Sequence, residues 1–83
     1  MQEQQTREFT FGEKAVGLDF NPSGNPKVLR IKELYAEIID IMNDDREGHR
    51  DERARHASVG ITDAETAQMR AVKALTFPRE ETK

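Results

Sequence analysis

Apolar residues recur at helical spacing in two stretches of the chain, and together they predict a helical hairpin. In the first stretch, Asn25 and Pro26 supply an N-cap and a first helical residue. The apolar positions that follow, three and four residues apart, are Val28, Ile31, Tyr35, Ile38 and Met42. In the second stretch the same spacing joins mainly alanines, with one polar residue at position 68; the positions are Ala54, Ala57, Ile61, Ala64, Gln68, Ala71 and Leu75. We therefore expect an all-α fold with antiparallel helices over about 26–44 and 53–77, joined by a connection over about 45–52.

The first predicted helix is apolar over more than a narrow seam. Its stripe is widened by flanking residues at Leu29, Leu34, Ile39 and Ile41. A face of this width contacts two neighbours, one of which would come from another subunit. In the second helix, Gly60 and the capping-box pattern that runs from Thr62 to Glu65 leave two alternatives open, a break near 60–62 or one continuous helix.

Residues 9–24 mix aromatic and glycine residues in a pattern that is neither helical nor strand-like, and they predict an ordered N-terminal arm. Three of the four phenylalanines lie in this arm, so we expect it to bury itself against another surface. The alternative is an arm that only caps the core. We expect the arm and the hairpin to form a single domain over 9–78, between a flexible tail over 1–8 and a loose tail over 79–83.

Composition makes self-association the expected source of stability. Leu, Ile, Val and Phe number 17 of 83 residues, and 35% of the residues are charged. A short chain buries a small fraction of its surface, so this little apolar mass closes a core poorly in a monomer. We therefore expect a homo-oligomer, with a subunit number that the spacing leaves open between dimer and hexamer.

The residue counts also exclude several classes of protein. The chain has no cysteine, which excludes disulfide frameworks, zinc fingers and thiol nucleophiles and fits an intracellular setting. No apolar run approaches the length of a membrane span, and the N-terminus lacks a signal-peptide pattern, so we expect a soluble, unprocessed protein with no membrane contact. The net charge of −3 argues against duplex nucleic acid as a partner.

The charged segment from Asn43 to His56 is interpreted as a solvated connection. It holds five acids, four arginines and two histidines, which nearly neutralise one another. The alternative is a metal site, with ligands at His49, Asp51, Glu52 and His56. The solvated connection is favoured, because arginines repel metal ions.

Enzyme motifs are missing from the sequence. There is no nucleophile elbow, no phosphate-binding loop and no pair of carboxylates in an apolar context. Asp40 and Asp44 share a helix face, but they lie near a charged helix end where we expect them to meet solvent. We therefore expect a protein that is not an enzyme and uses no metal or cofactor.

Binding of a small anion by a few local cations is better supported than catalysis. Lys14 lies among the aromatic residues of the arm, and Lys32 lies one turn into the first helix. An aromatic ring beside a cation suits a nucleotide, because the ring stacks on a base while the cation meets a phosphate. The alternative for Lys32 is an exposed cation paired with Glu33 or Glu37.

Arg70 and Lys73 lie one turn apart on the second helix, away from the alanine seam. Taken alone they are typical of a solvated face. Around a symmetry axis, the same two cations would recur on every subunit and converge into an anion site.

Several strings of the sequence resemble the phage helical-hairpin proteins of the anti-CBASS and Thoeris anti-defence family. These strings are FGEKAVGLDFNPSG over 11–24, Ile31-Lys32, AEIID over 36–40, TAQM over 66–69 and AVKA over 71–74. The match covers roughly residues 9–44 and 58–78. The resemblance implies a compact hexamer of helical hairpins in the host bacterial cytoplasm, which sequesters the cyclic nucleotide signals of bacterial immune enzymes and performs no turnover.

The resemblance also implies a set of site residues. Lys32 matches the lysine of the first helix that meets a ligand phosphate, helped by Arg30 or Lys14, and either Phe11 or Phe20 would stack on a base. The further polar candidates are Asn21, Thr62, Thr66 and Gln68. Arg70 and Lys73 would line a second, axial site for larger cyclic molecules. The ligand would be a cyclic oligonucleotide or a cyclic ADP-ribose-type signal.

Two other functions are alternatives to the sequestration of a cyclic nucleotide. The first is an oligomeric protein-interaction module, which presents an acidic surface and binds no small molecule. The second is a small DNA-binding regulator, which the acidic balance and the lack of a basic recognition helix disfavour.

Overall fold

The computed structural model describes residues 8–79 and folds them into three helices. These are α1 (Phe11–Val16), α2 (Pro26–Arg46) and α3 (Glu52–Thr76), and no strand occurs within the described range. The prediction of an all-helical hairpin is confirmed. The two predicted tails lie outside the described residues except for Glu8 and Arg79. None of the three helices combines the length and the apolar character that crossing a membrane requires.

α2 and α3 form an antiparallel hairpin. At its open end, the side-chain amide of Asn25, just before α2, donates to the backbone oxygen of Leu75 at the end of α3, at 3.4 Å. At its closed end, Arg53 donates to both carboxylate oxygens of Asp45 at 2.6 and 2.7 Å. The hydrogen bond from Arg53 lowers the pKa of Asp45. The segment between the helices is residues 47–51, shorter than the expected 45–52, because α2 continues to Arg46 and α3 begins at Glu52.

Side-chain caps begin both long helices. The Asn25 side chain accepts a hydrogen bond from the Lys27 amide at 2.8 Å, and Pro26 is the first residue of α2, as predicted. Asp51 caps α3 by accepting from the Ala54 amide at 2.9 Å. These side chains satisfy backbone N–H groups that have no partner within a helix.

α3 is one continuous helix, which settles the alternative at residues 60–62. Thr62 lies inside α3, where its hydroxyl donates to the Ser58 backbone oxygen at 3.4 Å, so it does not begin a helix. Gly60 marks a close approach of α2 and α3, since a Cβ atom at this position would lie 2.7 Å from Met42 Sδ.

The N-terminal arm contains a helix, and the expectation of a non-helical arm is wrong in this respect. Thr10 accepts from the Glu13 amide at 3.0 Å, and the Glu13 carboxylate accepts from the Thr10 amide at 2.9 Å. This capping box begins α1. α1 ends at Gly17, whose φ of 63° is left-handed, and the Leu18 amide bonds back to the Glu13 oxygen at 3.0 Å.

α1 packs on the middle of α2 through a glycine. A Cβ atom on Gly12 would lie 2.1 Å from the backbone oxygen of Ala36. The Gly12 amide donates to the Asp40 carboxylate at 2.7 Å. The expectation that Asp40 meets solvent is therefore wrong, because this carboxylate satisfies an amide at the start of α1. Asp44 is exposed.

The core of the described chain is small. Its buried apolar residues are Val16, Val28, Ala36, Ile39, Ala54, Ala57, Ile61 and Ala64. The alanine seam of α3 is buried as predicted, with Ala71 and Leu75 half-buried at its end. The Cα atoms extend only 12 Å along the shortest axis, so the helices form a single layer.

The most apolar stripe of α2 is not its most buried face. The buried residues of α2 are Val28, Lys32, Ala36 and Ile39. The predicted stripe lies about a quarter of a turn away around the helix. There Ile31, Tyr35 and Met42 are half-buried and Ile38 is 46% exposed.

The phenylalanines of the arm are not buried as expected. Phe9, Phe11 and Phe20 are 37%, 43% and 68% exposed. The arm buries Val16 and packs Ala15 and Leu18 against the core instead.

The charged segment is mostly exposed but is not only a connection. Arg46 is half-buried and joins all three helices. Its guanidinium donates to Asn43 at 3.1 Å and to Ser58 at 2.9 Å, and it lies over the Phe11 ring at 5.5 Å from the centroid. No group of three or more metal-ligating side chains is assembled anywhere between residues 8 and 79.

Candidate functional site

Lys32 is the residue around which the candidate site is built. Its side chain is 5% exposed in the middle of the buried face of α2. The ammonium donates to the backbone oxygen of Gly17 at 3.0 Å and to the backbone oxygen of Phe20. These two acceptors offset the cost of removing an ammonium from water.

Between residues 8 and 79, no acid neutralises the charge of Lys32. Within the described part of the chain, no carboxylate lies within ion-pair distance of its ammonium. The interpretation of Lys32 as an exposed cation paired with Glu33 or Glu37 is therefore wrong. Glu33 pairs instead with Arg30, at 3.1 Å.

The arm presents these carbonyl groups because its chain turns twice after α1. The left-handed Gly17 ends the helix, and the Phe20 amide then donates to the Gly17 oxygen at 2.9 Å. Gly17 is suited to this position because its backbone adopts a positive φ without a Cβ clash. We call residues 17–20 the arm turn.

A cavity of about 230 Å³ opens between the arm turn, α2 and the last turns of α3. Its lining residues are Phe20, Asn21, Pro22, Ser23, Val28, Lys32, Val72 and Thr76. The ring of Phe20 is 68% exposed, and its centroid lies 5.4 Å from Lys32 Nζ. The structure thus brings three of the predicted site residues, Phe20, Asn21 and Lys32, to one cavity.

The loop after the arm turn is held by its own side chains. Asn21 donates to the Asn25 backbone oxygen at 3.1 Å and accepts from the Ser23 hydroxyl at 2.8 Å. The Ser23 hydroxyl accepts in turn from the Asn25 amide at 3.1 Å. Asn21 keeps one N–H and one oxygen lone pair after these bonds, which are free to meet a ligand.

The other eight predicted site residues lie outside this cavity, at Phe11, Lys14, Arg30, Thr62, Thr66, Gln68, Arg70 and Lys73. Phe11 lies at the far side of α1 under Arg46, so the two aromatic candidates of the arm occupy different places. Lys14 is exposed on α1.

The polar and basic candidates on α3 are likewise dispersed. Thr66 is exposed and donates to the Thr62 backbone oxygen at 3.1 Å, whereas Gln68 is buried at 5% exposure. Arg70 and Lys73 are exposed, and the Lys73 ammonium lies 6.0 Å from the Phe77 ring centroid. A single chain therefore does not assemble the full predicted set.

Sequence reasoning missed the α3 side of the cavity. Val72 and Thr76 line it, and the Thr76 hydroxyl donates to the Val72 oxygen at 2.8 Å. Their place depends on the relative position of α2 and α3, for which the sequence carries no local signal. Pro22 and Ser23 also line the cavity, and they belong to an NPSG string whose residue types indicate a turn.

Larger hollows lie elsewhere but fit a charged ligand less well. One of about 570 Å³ at the closed end of the hairpin contains the Asp45–Arg53 pair, whose charges already neutralise each other. Another of about 480 Å³ at the open end has Lys27 and Arg79 on its wall, both exposed to water. Neither contains a buried cation, so we take the cavity beside Lys32 as the candidate site.

The groups around this cavity are suited to binding a ligand. It offers an aromatic face, an ammonium with no acid partner among the described residues and the partly free amide of Asn21. The ring suits a flat heterocycle and the ammonium suits an anionic group, such as a phosphate.

The chain matches one known protein family. The family model described as "Acb2/Tad1, hairpin domain" matches residues 13–76. No curated protein and no solved structure gives a significant match. The matched range includes the arm turn, all of α2 and α3, and every residue that lines the candidate cavity.

Proposed function

The chain belongs to the Acb2/Tad1 hairpin-domain family, known as anti-CBASS and anti-Thoeris sponge proteins, and from this premise we propose that it sequesters cyclic nucleotide immune signals. The ligand is a cyclic dinucleotide, a cyclic trinucleotide or a cyclic ADP-ribose-type molecule. The protein holds the signal without converting it, in the cytoplasm of the host bacterium, and thereby keeps it from the defence effectors.

One observation carries the proposal beyond the family name. Lys32 is a buried cation with only neutral partners in the described chain, and it borders a cavity beside the exposed ring of Phe20. An ammonium has three N–H donors, and the arm turn takes two of them. The third is available to a ligand phosphate while a base stacks on Phe20. Attraction between charges is stronger in such a site than in water.

The cavity of one chain holds only part of such a ligand. Its volume of about 230 Å³ is below the roughly 300–1,000 Å³ typical of small-molecule sites. We propose that a second copy of the chain completes each site, within the homo-oligomer that composition favours and for which a hexamer is expected. Neighbouring copies would then supply candidates that one chain leaves apart, including Arg30, Thr66, Arg70 and Lys73.

Thermal unfolding with a ligand panel tests the function. The panel contains cyclic di- and trinucleotides and cyclic ADP-ribose isomers. A ligand that binds only the folded protein adds about 2.7 kcal/mol of stability at 100 times its Kd. The stabilising ligand should be recovered intact after the complex is denatured. Stabilisation by no member of the panel would contradict the proposal and favour the protein-interaction module.

Phe20→Ala tests the site. Phe20 is mostly exposed and its backbone oxygen remains to accept from Lys32, so the substitution leaves the arm turn in place. Loss of a stacked base costs about 1–3 kcal/mol of binding free energy. Calorimetric titration with the stabilising ligand measures this loss. Phe77→Ala is the matched control, because Phe77 is 63% exposed, lies beside a lysine and is outside the cavity. Equal affinities of the two variants for the ligand would show that Phe20 is not part of the binding site.

A further inference from the structure

The bonds of Lys32 show a second role for this residue in the proposed binding site. Both hydrogen bonds that its ammonium makes within the described chain go to the arm turn, and neither goes to α2 or α3. A lysine whose only task is to meet a ligand would keep all three of its N–H donors available to the cavity. Here most of its hydrogen-bonding capacity is used before any ligand is present.

The arm turn has few other ties to the hairpin. Leu18 packs against the core, whereas Asp19 and Phe20 are exposed. Among the described residues, Lys32 is the only side chain of α2 or α3 that makes a hydrogen bond to residues 17–20. The internal bond from the Phe20 amide to the Gly17 oxygen bends the turn but does not attach it to α2.

Closing the arm turn and burying the Lys32 charge are therefore coupled. A buried ammonium needs acceptors, and the carbonyl groups of Gly17 and Phe20 provide them only when the turn lies against α2. The same closed position brings Phe20 and Asn21 to the cavity wall. When the turn opens, Phe20 and Asn21 move away from the cavity, and Lys32 remains on a face of α2 that the arm no longer covers.

We infer that Lys32 is a positioning residue, which closes the arm turn over α2 and so builds the ligand site before the ligand arrives. The inference deepens the proposed function and rests on it for the identity of the ligand. Because only the closed form binds well, the apparent Kd equals the intrinsic Kd divided by the closed fraction. Lys32 thus acts on affinity through Phe20 and Asn21 as well as through any contact of its own.

Amide hydrogen exchange of the ligand-free protein tests the inference. The probes are the Leu18, Phe20 and Gly24 amides, whose hydrogen bonds lie within the arm. Lys32→Met keeps the length of the side chain but removes its donors. We expect exchange at these amides to accelerate on the order of tenfold, with exchange in the middle of α3 unchanged. Lys27→Met is the control, because Lys27 is an exposed lysine on the same helix, and it should leave the arm amides unaffected.

The results that would overturn the inference are distinct from a failure of the proposed function, since no ligand is used. Unchanged exchange at the arm amides in Lys32→Met would overturn it, even if the variant binds ligand weakly. Equal acceleration in all helices would mean that Lys32 only supports global stability and would also overturn it.

Should Lys32→Met not fold, Gly17→Ala decides the question. It strains the left-handed residue of the arm turn and leaves the lysine in place. Faster exchange confined to the arm, together with an increased Kd, supports the positioning role, and an unchanged Kd with a mobile arm contradicts it.

Discussion

At Gly12, the absence of a side chain determines how closely α1 lies on α2. The backbone of Ala36 occupies the place where a Cβ atom would be, and the Gly12 amide meets the Asp40 carboxylate. The obstacle is a helix backbone, which cannot move aside as a side chain can. Gly60 makes a similar approach to α2, but there the obstacle is the thioether of Met42.

Gly12→Ala and Gly60→Ala should therefore differ in stability. Gly12→Ala places a methyl group 2.1 Å from the Ala36 oxygen and should cost about 1–3 kcal/mol through displacement of α1. Gly60→Ala should lie within about 1 kcal/mol of the parent, because helix propensity offsets the movement of the flexible Met42 side chain. Urea denaturation of both variants measures the two values. Equal midpoints would show that α1 is not held against Ala36.

Residue types and the family resemblance together named candidates that the fold brings to one place. An aromatic residue beside a lysine indicated an anionic, base-containing ligand, the resemblance added Phe20 and Asn21, and these two residues share a cavity with Lys32. The burial of Lys32 was not predictable, because it depends on two backbone oxygens that face α2 only after α1 and its turn have formed. The sequence did not distinguish Phe11 from Phe20, and the fold places them apart, with Phe20 beside Lys32 and Phe11 beside Arg46.

At the scale of elements, the same capping pattern occurs twice with different outcomes. Thr10 and Glu13 form a capping box and begin α1, whereas Thr62 and Glu65 have the same spacing inside α3. The pattern satisfies amides at a helix start, but at Thr62 the preceding turns of α3 already satisfy them. The sequence analysis identified the pattern at Thr62 but not the one at Thr10. The glycines and aromatic residues around Thr10 are not typical of a helix, and the helix that begins there has only six residues.

Alanine substitutions at the two threonines should differ in their effect on stability. Thr10→Ala removes a true cap and should cost about 1 kcal/mol, seen as faster exchange of the amides in α1. Thr62→Ala should be neutral or slightly stabilising, because alanine is the better residue within a helix. Circular dichroism melting of both variants gives the sign. A loss of stability in Thr62→Ala larger than in Thr10→Ala would contradict the observed helix start.

The spacing of α2 predicted the helix but not the face that it buries. The apolar stripe through Tyr35 and Ile38 is the stronger signal, yet α1 and α3 contact the side of α2 that carries Lys32 and Ala36. The absence of a Cβ atom at Gly12 permits the approach of α1, and the arm turn satisfies Lys32. Both reasons lie in the partner elements, so the sequence of α2 does not contain them.

At the scale of the whole molecule, the chain leaves much of its apolar surface uncovered. The helices form one layer, and no other element between residues 8 and 79 covers either side of it. On α2 the exposed residues Leu34, Ile38 and Ile41 lie on one helix face, at 39%, 46% and 69% exposure. They lie roughly opposite the buried face of the same helix. The composition indicates too few apolar residues for a large core. The exposed apolar stripe of Leu34, Ile38 and Ile41 is in addition suited to contact a second copy of the chain.

Ile38→Asp should separate assembly from folding. Ile38 is half-exposed and outside the buried core, so an aspartate there should leave the helix content unchanged while a charge in the apolar stripe prevents self-association. Sedimentation velocity gives the mass of the particle, and circular dichroism gives the helix content. Glu37→Gln is the control, because Glu37 is exposed on the same helix and the substitution changes the charge by one unit without placing a charge in the apolar stripe, so it should assemble like the parent. If Ile38→Asp keeps the parent's mass, the stripe is not the subunit contact. If it becomes a folded monomer that still binds ligand at full affinity, the site needs no second copy.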